Sequence, residues 1–468
     1  MEAIKSEVFK IISEQFSVSE SEITDETGPG DLAKWDSIGQ LQLMVGLEDQ
    51  FDIQLSVDDV MSINNVRDII NVINKFVQDG EKQLKDHVAF SSTFHPVRIP
   101  STTYWGKNSI SVLKELDFDR IAVITGSSKY AEGITEKVSD LIFRDNSFQA
   151  FQRPKGEPTE DTILKLSEKL NQFSPNHIIA IGGGSTIDMA KLSWLLYEKP
   201  DFQLGDVDGS IIDLKLRQKA SFIAVPTTFG SGSEVSSAAA FTKENDCGKS
   251  ILVSHDFIPD QVMLDPLLGE SASLATIYSS AFDALTHAVE GYVSVVNHPM
   301  LEPVAIRTIK DIIQAMKKIK SEGINADVLE SLCYSAYYAG IVQNHCSVGL
   351  THSFAHQLGH NGISHGAANA MFLIPVIDYN AKKLDKYNIL ATEIGHKSIF
   401  HLTDDIQKIL TESLIIPSKE KLESIISDKT RIVSGAMEDI TFRTNPVIMD
   451  RSEVETVFEN AMKGYMYV

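Results

Sequence analysis

The stretch His177–Lys191, HIIAIGGGSTIDMAK, decides how most of this chain is built. An apolar, β-branched run enters three consecutive glycines, Gly182, Gly183 and Gly184, and leaves as a helix. That order reads as a buried strand, a tight turn and a helix. Glycine lets the backbone approach a phosphate closely. The helix start offers free N–H groups and the positive end of a dipole, and Ser185 adds a hydroxyl donor. On its own, a turn of this kind is as often a plain tight turn. Here a second stretch reinforces it: PTTFGSGSEVSS at 226–237 is also glycine- and hydroxyl-rich and also follows an apolar run. Two such loops at the carboxyl ends of parallel strands belong at a ligand crevice. Working outward, RIAVITG (120–126) and QVMLD (261–265) are further strand candidates separated by helical stretches. Residues 93–270 are therefore expected to form a Rossmann-like α/β dinucleotide-binding domain. Residues 271–468 read as one helix after another, an all-helical domain.

Within the helical part, two stretches carry metal donors. FDALTHAVEGY (282–292) puts Asp283 and His287 at i and i+4, on one face of a helix. THSFAHQLGHNGISHGAANA (351–370) reads as helix, short Gly/Asn loop and helix start, and holds His352 and His365. A lone helical histidine is usually a core or surface residue; the combination is what points to a metal. One carboxylate and three imidazoles suit a borderline divalent ion such as Fe(II) or Zn(II), not Mg or Ca. His356, one turn beyond His352, is left for proton relay or nicotinamide contact. A metal that grips an alcohol oxygen, beside a dinucleotide site, is the equipment for hydride transfer.

Composition narrows the alternatives. The 468 residues carry a formal net charge of −22, which argues against nucleic-acid binding. No apolar run is long enough for a membrane span. The start, MEAIKSEVFKIISEQF, lacks the basic-then-apolar order of a signal peptide. Cys247, Cys333 and Cys346 form no CxxC pair and suggest no disulfide framework, so a reducing cytoplasm is expected.

The charge is unevenly spread. Residues 1–80 hold 16 Asp/Glu against 5 Lys/Arg, half of the net charge in about a sixth of the chain. They read as a separate helical module, with helices near 2–16, from Ser37 onward and near 65–77, followed by a polar linker at 81–92. In LAKWDSIGQLQLMVGLEDQFDI (32–53) an Asp-Ser pair opens an acidic amphipathic helix. By spacing alone Asp36 or Ser37 is an N-cap.

Two family resemblances meet in these motifs. Residues 93–468 resemble the iron-dependent (group III) alcohol dehydrogenases, including relatives that use zinc. The matching stretches, in order, are GGGSTIDMAK, PTTFGSGSEVS, Lys249 ahead of VMLDP, DALTHAVEGY, HSFAHQLG, SHGAANA and TNPVIMDRSEVETVFENA. The resemblance implies a dinucleotide-binding α/β domain and a helical domain with the metal in the cleft between. It implies Asp283, His287, His352 and His365 as ligands, and His356 near the nicotinamide relaying protons. It implies Gly182, Gly183, Gly184, Ser185, Asp188, Thr227, Thr228, Ser231, Ser233 and Lys249 at the nucleotide. Many NAD-preferring members have Asp after the first strand. Here Gly126 stands there, followed by Ser127, Ser128 and Lys129, which points to NADP(H) over NAD(H).

Residues 1–80 resemble an acyl carrier protein. This implies a small four-helix bundle, 4′-phosphopantetheine on Ser37 and a phosphopantetheinyl transferase as partner. Other enzymes of a biosynthetic pathway would meet its acidic helix. The expected activity is therefore an alcohol dehydrogenase or aldehyde/ketone reductase whose substrate is tethered to that arm. One alternative is a free small alcohol or sugar as substrate, with the carrier serving another enzyme. The other is a lyase like the dehydroquinate synthases; Asp283, rather than Glu, and the GGGSTIDMAK and HSFAHQLG motifs favour the dehydrogenase. A homodimer fits the family habit.

Overall fold

The computed structural model describes residues 2–16, 18–32, 35, 39, 43–44, 46–47, 50–51, 63, 65–78, 96–116, 119–126, 129–142, 148–206, 211–243 and 249–466. Two compact units emerge, Met1–Pro96 and Val97–Val468.

In the first unit, α1 (Glu2–Phe16) and α2 (Val66–Gln78) share one apolar core. Val8, Ile12 and Phe16 of α1 and Val66, Ile69, Ile70 and Ile73 of α2 are buried, at the spacing an amphipathic helix requires. The Phe16 ring stacks on Trp35 with centroids 5.1 Å apart. Met44 and Leu47 lie in the same core. Ser37 and the expected linker at 81–92 fall outside the described residues.

The second unit begins with a parallel sheet. Its strands are β1 (Thr102–Trp105), β2 (Ile121–Thr125), β3 (Phe148–Gln152), β4 (His177–Gly182), β5 (Ser221–Pro226) and β8 (Gln261–Leu264), in the order β1-β8-β5-β4-β2-β3. A separate antiparallel pair joins β6 (Ala238–Thr242) to β7 (Lys249–Val253). The four strands expected from sequence are all present and parallel; edge strands β1 and β3 add to them.

Each central strand is apolar on both faces because both faces are covered. In β2, Ile121 and Val123 belong to one core, and Ala122 and Ile124 to the other. Helix α3 (Lys129–Ile142) packs Ile134 and Val138 on the first face. On the other lie α4 (Glu160–Phe173), started by a capping box at Thr159, and α5 (Gly184–Glu198). Pairing of β2 with both β3 and β4 makes this the point where the chain reverses its course across the sheet. In such sheets a crevice opens there, outside the carboxyl ends of the strands.

Helices fill the rest: α6 (Leu274–Val293), α7 (Glu302–Glu322), α8 (Ala326–Cys346), α9 (Leu350–Gln357), α10 (His365–Asn380), α11 (Lys386–Glu393), α12 (Ile399–Glu412), α13 (Lys419–Ser427), α14 (Lys429–Glu438) and α15 (Arg451–Met466). Among the described residues no helix is long and apolar enough to cross a membrane.

Candidate metal and nucleotide site

The glycine turn and the hydroxyl loop are neighbours because β4 and β5 are. Gly182 is in register with Pro226, and the Thr227 N–H donates to the Gly182 carbonyl at 3.0 Å. A Cβ on Gly183 would lie 2.7 Å from Thr228 Oγ1, and one on Gly184 2.7 Å from Ser231 Oγ. Only glycine lets the two loops touch in this way. Gly183 is the N-cap of α5 and gives no side-chain hydrogen bond, so amides of its first turn are left for solvent or a ligand. Ser185 and Asp188 follow on α5, where Asp188 Oδ2 accepts from the Ala240 N–H. Ser233 is buried 3.3 Å from Ser231, oxygen to oxygen. Gly126 directly follows β2. Ser127 and the side chains of Lys129 and Lys249 lie outside the described residues.

The candidate metal donors come from three helices. Asp283 and His287 sit one turn apart on α6, His352 on α9, and His365 opens α10. What brings α10 to α6 is Gly366: its Cα packs on the Ser279 backbone, where any side chain would collide. Donor atoms of Asp283, His287 and His352 lie within 4.8 Å of one another, and all three residues are buried. Asp283 Oδ1 stands 3.8 Å from His287 Nε2, 3.8 Å from His352 Nε2 and 3.5 Å from His365 Nε2. Those separations are too long for hydrogen bonds. Four donors set tetrahedrally about 2.1 Å from one ion stand roughly 3.4 Å apart. The three buried donors, Asp283, His287 and His352, therefore fit a divalent ion. His365 approaches Asp283 but lies outside that mutual cluster, with its side chain 28% exposed.

Electrostatics agree. Burial alone would raise the Asp283 carboxyl, but His287, His365 and His352 hold it well below the usual range. Burial pushes His287 down to about 4, so it is neutral at physiological pH. Burial opposes protonation of His352 too, yet the carboxylates of Asp283 and Glu290 raise it to about 9. An incoming ion must displace that proton.

Three residues outside the expected set complete the site. Glu290 Oε2 lies 2.7 Å from His352 Nδ1, and its carboxylate accepts from the N–H groups of Gly349 (2.9 Å) and Thr351 (2.7 Å). It thus caps α9 and fixes the ring that α9 carries. Asn369 Nδ2 donates to Asp283 Oδ1 at 2.7 Å. His356 is not in the donor cluster. Its ring stacks on His365, centroids 5.4 Å apart, and its Nδ1 lies 2.7 Å from Asp439 Oδ2. Glu290 stands seven residues after Asp283, on the same face of α6, so helical spacing carried a signal for it. Asp439 is 83 residues from His356 and had none.

Comparison with known proteins finds relatives of the chain. Residues 100–266 match the family model described as iron-containing alcohol dehydrogenase, and residues 276–462 its C-terminal counterpart. The chain belongs to the iron-containing alcohol dehydrogenase family. Residues 6–73 match the phosphopantetheine attachment site. The chain is 30% identical over 382 residues to an NADPH-dependent butanol dehydrogenase of Clostridium saccharobutylicum, covering 78% of this chain and 97% of that one. It is 30% identical over 299 residues to a bifunctional aldehyde-alcohol dehydrogenase of Escherichia coli, 61% of this chain but only 34% of that one. The solved iron-containing alcohol dehydrogenase of Thermococcus thioreducens superposes with a TM-score of 0.72 at 26% identity, covering 79% of this chain and all of that one.

Glu290 offers a direct test of the site. Glu290→Gln is expected to weaken divalent-ion binding by roughly 10- to 100-fold, because the amide removes the charge that steadies the His352 ring. Titrating Fe(II) or Zn(II) into the apo-protein against a chelator measures this. Unchanged affinity would remove Glu290 from the metal centre.

Proposed function

We propose that this oxidoreductase interconverts an alcohol and its aldehyde or ketone on a phosphopantetheine arm at Ser37, with Fe(II) or Zn(II) and NADP(H). The observation that carries the reading is the Asp283 carboxylate facing three imidazole nitrogens at 3.5 to 3.8 Å. Asp283, His287, His352 and His365 would hold the ion. Gly182, Gly183, Gly184, Ser185, Asp188, Thr227, Thr228, Ser231, Ser233 and Lys249 would hold the dinucleotide, with Gly126, Ser127 and Lys129 at its ribose. When bound, the ion supplies Lewis acidity to the substrate oxygen, and the nicotinamide supplies or accepts hydride.

The chain's own groups manage the proton. Asp439 engages Nδ1 of His356, which leaves Nε2 as the atom that gives or takes a proton. Asp439 is itself held by the N–H and hydroxyl of Thr441, at 2.9 and 2.7 Å, so the ring cannot turn without breaking that set. Tethering draws support from the carrier and dehydrogenase sequences lying in one chain. The acidic character of residues 1–80 suits a phosphopantetheinyl transferase and further pathway enzymes as partners.

NADP(H) draws support from Gly126, which puts no carboxylate after β2, and from the NADPH dependence of the butanol dehydrogenase relative. With the metal-loaded full chain, NADPH is expected to exceed NADH in kcat/KM by roughly tenfold or more. Initial rates with the two cofactors decide it; faster turnover with NADH would overturn the preference.

A further inference from the structure

Arg153 directly follows β3, and its backbone N–H donates to the carbonyl of Thr125, the last residue of β2, at 3.0 Å. It therefore stands beside Gly126. Its side chain reaches across to the nucleotide helix, where Nε donates to Thr186 Oγ1 at 2.9 Å. Nη1 donates to the carbonyls of Pro154 (3.0 Å) and Gly156 (2.6 Å). These bonds pin the guanidinium and use Nε and Nη1. Among the described residues Arg153 makes no ion pair, and no hydrogen bond from Nη2 adds to those three. Burial lowers its pKa, against the longer-range pull of Glu157 and Asp188. A half-buried cation with no carboxylate in contact is costly to hold. An anion placed beside Gly126 relieves that cost.

We propose that Arg153 selects the cofactor, its Nη2 edge binding the 2′-phosphate of NADP(H) beside Gly126. This rests on the NADP(H) reading above. Three bonds to neutral oxygens orient the fork, and a phosphate is the dianion whose geometry it matches.

The test uses the full chain without metal, so that catalysis does not enter. Calorimetry compares adenosine 2′,5′-bisphosphate with 5′-AMP for the natural protein, Arg153→Gln and Arg153→Lys. The natural protein is expected to prefer the bisphosphate. Arg153→Gln is expected to lose roughly 10- to 100-fold in bisphosphate affinity while 5′-AMP affinity stays. Arg153→Lys should recover part of the loss, since a point charge replaces the fork. Loss of both ligands in equal measure would mean that Arg153 only braces the loop or meets the pyrophosphate, and would overturn the proposal. A bisphosphate preference retained in Arg153→Gln would overturn it too, with NADP(H) use still standing. No preference in the natural protein would overturn the NADP(H) reading and this proposal together.

Discussion

His352→Ala is expected to leave a folded protein that retains no divalent ion and turns over at least about a thousandfold more slowly. A Lewis-acid metal supplies several kcal/mol of transition-state stabilisation, and each 1.36 kcal/mol is tenfold in rate. His352 is the most central of the proposed donors: its Nε2 faces Asp283, its ring stacks on His287 with centroids 4.7 Å apart, and Glu290 holds its Nδ1. Truncation removes one of the three clustered donors and leaves the buried Glu290 without its imidazole partner. Three backbone N–H groups, those of Gly349, Thr351 and His352, still face that carboxylate, so the start of α9 keeps its cap. His287→Ala should behave alike, without touching Glu290. Metal content by emission spectroscopy, turnover and thermal unfolding on both variants separate loss of the ion from loss of the fold. A His352→Ala protein with full metal content and full turnover would end the assignment.

The second large effect concerns Ser37. Incubation of the full chain with coenzyme A and a broad phosphopantetheinyl transferase is expected to add one prosthetic arm, and Ser37→Ala to abolish the gain completely. In the transfer, the Ser37 oxygen forms a bond to the phosphorus of the pantetheine phosphate, and adenosine 3′,5′-bisphosphate leaves. Intact-mass measurement reads the outcome. With the arm loaded by a thioester-bound carbonyl substrate, Ser37→Ala should lose turnover of the tethered form and keep turnover of a free aldehyde. Absence of any mass gain in the natural protein would shift weight to the free-substrate reading.

Much of this architecture could be read residue by residue. HIIAIG reads as a strand because both faces of a central parallel strand are buried, and its β-branched run allows no amphipathic helix. Val8 and Ile12 of the first module are buried as their spacing requires. Asp283 and His287 share a helix face whatever surrounds them. Edge strand β3, FQAFQ, was not legible: three of its five residues are exposed, and its pattern is that of any mixed segment.

The sequence by itself determined the order of strands and helices, the glycine turn and the i, i+4 ligand pair. These depend on near neighbours in the chain, through propensity and helical or strand periodicity. Only the tertiary structure decided that residues as distant as Asp283 and His365 come within 3.5 Å, that Glu290 and Asp439 each hold a histidine ring, and that Arg153 lies beside Gly126. Those partnerships follow from how closely elements can pack, as the Gly366 backbone does on that of Ser279 and the Gly183–Gly184 turn on the side chains of Thr228 and Ser231. Close packing is a property of faces meeting in space, and no local spacing encodes which faces will meet.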